Sequence, residues 1–110
     1  MTIERDPHDA VDFIYATASK FAQAKSERIH LEEFRKSKKA LLMKRSLEET
    51  IGAQEREAYA HEEYQNLLQG LKAAIETEET LRWELIAAQA RIEIWRTEQA
   101  NLRFEGKVTL

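Results

Sequence analysis

Residues 62–104 read EEYQNLLQGLKAAIETEETLRWELIAAQARIEIWRTEQANLRF, and this stretch decides the fold. Within it Tyr64, Leu67, Leu71, Ala74, Glu78, Leu81, Leu85, Ala88, Ile92, Trp95, Gln99 and Leu102 follow in steps of three and four without a slip. Ten of the twelve are apolar or aromatic. That spacing lines them along one seam of a single long helix, and a seam of that length demands cover from another helix. Leu67, Leu71, Leu81, Leu85, Ala88, Ile92 and Trp95 form its apolar body. Placing Tyr64 at heptad position a puts Trp83 and Ala90 at f, and Ala87 and Ile94 at c. These four make a second apolar stripe nearly opposite the first. A two-helix hairpin leaves them in water, although burying side chains of the size of Trp83 and Ile94 is worth roughly 1.5–3 kcal/mol each. Trp83, Ala87, Ala90 and Ile94 therefore read as an oligomer contact, or as a face covered by a middle helix or the C-terminal tail.

The rest of the chain fits long helices. Asp6-Pro7-His8-Asp9 carries a cap, a proline suited to the first helical position and a capping-box acid. Ile14, Ala18, Phe21, Ala24, Leu31, Phe34 and Leu41 give a less regular stripe, interrupted by Lys25, Arg28 and Lys38. Lys44 and Arg45 suit a helix C-terminus. Ser46-Leu47-Glu48-Glu49 is a second capping-box signature. The pattern predicts a long helix over 7–45, a short one over 47–59 and a long one over 62–104, with a stop at Gly106 and a tail over 105–110. Residues 59–63 allow either a turn or continuous helix. Gly70 reads as a close helix approach or a plain surface residue. The expected fold is all-α: one domain over 1–110, a long antiparallel, coiled-coil-like hairpin with a short connecting helix, assembling into an oligomeric helical bundle.

With 110 residues the chain has room for one domain, and rods of this kind bury little surface alone. There is no cysteine, which removes disulfides, thiolate metal sites and a cysteine nucleophile, and fits a reducing cytoplasm. No apolar run has the length of a signal peptide core or of a membrane span, so no membrane partner is expected. The net charge of −3 means that any nucleic-acid contact needs a local patch.

Such a patch exists. Arg35, Lys36, Lys38, Lys39, Lys44 and Arg45 lie within eleven residues, with no acid between Glu33 and Glu48. They read as a phosphate-backbone contact. The rival reading is a solvated helix end paired with acids of a neighbouring helix, which are plentiful from Glu48 to Glu79. No aromatic residue interleaves the cations to serve as a stacking platform for single strands. His8, His30 and His61 lack metal-ligand spacing and read as surface or cap residues. Glu78 and Gln99, polar positions in the seam, read as register-setting contacts or as partners of Lys38. No phosphate loop, nucleophile elbow or dinucleotide fingerprint is present, so the expectation is no enzyme, cofactor, metal or small-molecule substrate.

Phe34-Arg35-Lys36-Ser37-Lys38-Lys39-Ala40-Leu41-Leu42-Met43-Lys44, Gln54-Glu55-Arg56-Glu57-Ala58-Tyr59-Ala60-His61 and the run from Leu81 to Arg96 (LRWELIAAQARIEIWR) together resemble a group of small helical proteins encoded by bacteriophages and prophages of proteobacteria. The resemblance covers roughly residues 31–104 and brings no catalytic residues with it. It implies a small accessory protein acting in the bacterial host cytoplasm, encoded near recombination or replication functions. The expected function is a non-enzymatic phage accessory protein that oligomerises and binds nucleic acid or a nucleic-acid-processing complex. The alternatives are an inhibitor that binds a host defence or nuclease complex through its acidic surface, and a structural or scaffold phage protein.

Overall fold

The computed structural model describes residues 6–109. They form three α-helices: α1 over Pro7–Arg45, α2 over Ile51–Ala60 and α3 over Glu62–Thr109, with no strand among the described residues. Asp6 caps α1 as its sequence predicts, its Oδ1 accepting from the His8 N–H at 2.7 Å.

The helix ends correct two expectations. Ser46 does not start α2. Its own N–H still donates to the Met43 carbonyl at 3.1 Å and closes α1, while its hydroxyl oxygen accepts from the Glu48 N–H. The cap is Thr50, whose Oγ1 accepts from the Ala53 N–H at 3.1 Å, so α2 begins at Ile51 rather than near Leu47. Gly106 does not stop α3, which continues through the expected tail to Thr109. A glycine ends a helix when it turns left-handed, and no described residue has positive φ.

Between α2 and α3 the break is one residue. His61 adopts an extended conformation, and its N–H closes α2 on the Ala58 carbonyl. Its Nδ1 accepts from the Glu63 N–H at 3.0 Å and its carbonyl from the Gln65 N–H, so it also caps α3. Gln65 donates its side-chain amide back to the Tyr59 carbonyl at 2.7 Å.

The chain divides into two compact units, residues 22–79 and residues 6–21 with 80–109. In the 22–79 unit, Leu42 of α1, Ala58 of α2 and Tyr64 of α3 form the core, with Met43 and Leu68 against them. Arg28 meets Glu78 and Arg45 meets Glu63, so within this unit α1 and α3 run in opposite directions. In the other unit Ala10, Thr17 and Ala88 are buried, Ile14, Phe21, Leu81, Leu85 and Ile92 are half-buried, and the Arg82 guanidinium lies 5.8 Å from the centre of the Phe21 ring.

The covered side of α1 differs from the predicted stripe. Pro7, Ala10, Ile14, Thr17, Phe21, Ala24, Arg28, Leu31, Arg35, Lys38 and Leu42 are all buried or half-buried, and they step by three and four throughout. Ala18, Phe34 and Leu41, assigned to the stripe from sequence, are exposed. The heptad is unbroken, but four of its positions carry polar side chains. Exact apolar spacing therefore misses it, because the aliphatic stems of Arg and Lys can cover a seam while their charges reach its edge.

Candidate functional site

Glu78 sits in the α3 seam with only 2% of its surface exposed. Its partner is Arg28, not Lys38. Arg28 Nε donates to Oε2 at 2.6 Å and Nη2 to Oε1 at 3.0 Å, a two-point fork. Nη1 also donates to Glu32 at 3.1 Å. The correction is one of distance along the rod: Lys38 lies ten residues beyond Arg28, about 15 Å away. Glu78, then Glu32, hold the Arg28 guanidinium proton above its ordinary range.

The basic run does not present itself as one patch. Lys36 pairs with Glu33 on its own helix at 3.4 Å. Lys39 pairs with Glu55 of α2 at 3.6 Å, and Arg45 pairs with Glu63 of α3. The Arg45 guanidinium draws the Glu63 carboxyl below the ordinary carboxylate range, with Lys38 and His61 adding to the effect. Arg35 and Lys38 lie half-buried on the covered side of α1, and Lys44 is exposed. Two of the six cations, Lys39 and Arg45, thus meet acids of neighbouring helices in the way the rival reading expects. The acidic stretch is spent similarly: Glu55 and Glu63 take cations, and Glu57 accepts from the Ser46 hydroxyl at 2.6 Å.

Folding also brings together what the linear sequence keeps apart. Arg35, Lys36, Lys39, Ala40 and Met43 of α1 line one groove of about 620 Å³ with Tyr59 of α2 and Tyr64 of α3. The Lys39 ammonium lies 4.6 Å from the centre of the Tyr59 ring, and Tyr59 meets Tyr64 edge to face at 5.3 Å. Tyr64 is buried and acts as a floor, whereas Tyr59 is 40% exposed. Tyr59 is the main reason the Lys39 proton is held more tightly than an ordinary lysine's, with Glu55 contributing. No aromatic residue interleaves the cations along the sequence, yet the fold sets Tyr59 beside Lys39. The tyrosines lie some twenty residues downstream and reach the cations only through the two tight turns around α2.

On α3, Leu71 and Ala88 are buried, and Leu67, Leu81, Leu85 and Ile92 are half-buried. Trp95 is 42% exposed, so the cover of the seam thins beyond Ile92. The opposite stripe is open: Trp83 is 63% exposed and Ile94 59%, and Ala87 and Ala90 are exposed as well. Gly70 is exposed, and a methyl group placed there would meet nothing within 4 Å, so it marks no close approach. No group of three or more His, Asp or Glu side chains suited to a metal occurs among the described residues. No helix formed by them is long and apolar enough to cross a membrane. Comparison with protein-family models, curated proteins and solved structures gives no match.

Proposed function

We propose that this chain is a non-enzymatic accessory protein of phage or prophage origin, acting in the bacterial cytoplasm, that self-associates and holds nucleic acid in the groove of α1. The observation that carries this reading is the meeting of Arg35, Lys36 and Lys39 with Tyr59 around one concavity. Cations that attract phosphate beside an exposed aromatic face are the two parts of a single-strand site, where each stacked base contributes about 1–3 kcal/mol. Lys44 extends the positive surface along the same helix. In this reading Arg45 and Lys38 serve the fold rather than the ligand.

For the assembly, we propose a long antiparallel, coiled-coil-like hairpin of α1 and α3, with α2 as connector, associating into a helical bundle. Steps of three and four on both long helices support the pairing, and the open apolar stripe of α3 supports the association. The same stripe favours a second reading, a structural or scaffold role in which association is itself the function.

The test is a fluorescence-anisotropy titration of labelled single-stranded and duplex DNA at several salt concentrations. Tighter binding of the single strand is expected, with a log–log salt slope near −2 if about three phosphates are neutralised. Lys36→Glu and Tyr59→Ala are each expected to weaken binding about tenfold. Unchanged affinity in both variants overturns the groove as the site. Absence of binding, together with assembly beyond a small closed oligomer, favours the scaffold.

A further inference from the structure

We infer that the outward face of α3 is a two-fold contact with a second copy of this chain, the two α3 helices running antiparallel. The inference rests on the self-association proposed above and gives it a partner, a direction and a register. At about 100° per residue, Ala90 and Ile94 project within roughly 20° of Trp83 on either side of it, and Ala87 within about 40° of it. Along the helix the face reads large, small, small, large. A two-fold axis midway between Ala87 and Ala90 sets Trp83 of each copy against Ile94 of the other, with alanine on alanine between them. Both ends of the contact then have equal bulk, so the rods stay evenly spaced. A parallel pair stacks Trp83 on Trp83 and spreads the helices at that end.

Charge supports the same arrangement. Glu84 and Arg91 flank the face on one side, seven residues apart. The antiparallel register places Glu84 of one copy beside Arg91 of the other, and two-fold symmetry repeats the pair. The occupant that fits both the size pattern and the charge pattern is this same surface turned end for end.

A single spin label tests partner and direction together. The native chain has no cysteine, so Asn101→Cys, an exposed position on the centre line of the face, supplies the only thiol. In the inferred register the two labels of a dimer lie 25 residues apart along the axis, so pulsed dipolar spectroscopy should read about 40 Å. A distance under about 15 Å means a parallel pair, and no intermolecular distance means no pair; either result overturns the inference. Trp83→Glu, a change at an exposed position, should raise the dimer dissociation constant at least tenfold. A dimer that survives it uses another surface, which removes this contact while leaving self-association and the groove intact. Glu84→Arg should weaken the dimer severalfold and Arg91→Glu, added to it, should restore it. Failure of that restoration contradicts the register.

Discussion

The 22–79 unit and the unit of residues 6–21 with 80–109 are made from the same two helices, yet they treat their apolar side chains differently. In the first, α2 supplies a third helix, and Leu42, Ala58 and Tyr64 close into a core. In the second, the buried residues are Ala10, Thr17 and Ala88, while Trp83, Ile86, Ile94 and Trp95 all exceed 40% exposure. Two rods hide one face of each, whereas a third element can close a core around an aromatic ring. The first unit thus closes a core within the chain, although Leu47 at 98% and Ile51 at 73% stay exposed on it, whereas the second fully buries no described side chain larger than Thr17.

Four perturbations break or sharpen this contrast. The largest effect is expected in the closed unit: Leu71→Ala, at a position 7% exposed, should cost about 2–4 kcal/mol in denaturant unfolding. Ile94→Ser in the open unit should cost the monomer under about 0.5 kcal/mol and act through assembly instead. Equal costs at the two sites would erase the distinction. Next is the buried fork. Glu78→Ala leaves the half-buried Arg28 without its main partner and should lower the melting midpoint by roughly 10 °C, whereas Arg28→Leu with Glu78→Leu should recover most of that loss.

Smaller effects follow at the exposed ion pair. Glu63 has its folded pKa depressed by Arg45, so its contribution is present above the unfolded carboxyl value of about 4.3 and is lost as pH falls through the lower folded value. Thermal melts from neutral to strongly acidic pH should show a slightly flatter acid limb for Glu63→Gln. Because the pair is exposed, the change should be small and should shrink further in salt; a large change would mean the pair is shielded from solvent. One modest effect runs in the opposite direction. Gly70→Ala should stabilise the protein by about 0.5–1 kcal/mol, since an exposed mid-helix glycine meets no neighbour that an added methyl would strike.

How much the sequence disclosed varies by element for physical reasons. The α3 seam is legible because its members are apolar, and from Tyr64 to Ile92 every position in it is buried or half-buried. The α1 seam is equally regular but partly hidden, because Thr17, Arg28, Arg35 and Lys38 occupy heptad positions, and polar residues count against a stripe when read one helix at a time. The Arg28–Glu78 fork explains how one of them is accommodated. The start of α2 was masked by the stronger-looking Ser46 signature, whereas Thr50 lacks the reciprocal acid of a capping box. His61, which the sequence leaves between a surface and a cap residue, caps α3. The groove had half a signal: its cations stand in one run, but Tyr59 and Tyr64 join them only when the turns at 46–50 and 61 fold the helices back, and contacts of that kind leave no periodic mark.

The most direct test of the account is the mass of the full chain in solution across a wide concentration range, by sedimentation equilibrium. One chain weighs 12.8 kDa. The account predicts at least twice that mass at micromolar concentration and a return to 12.8 kDa for Trp83→Glu. A wild-type chain that stays at 12.8 kDa to millimolar concentration would contradict the claim that the open face of α3 is built for a second copy.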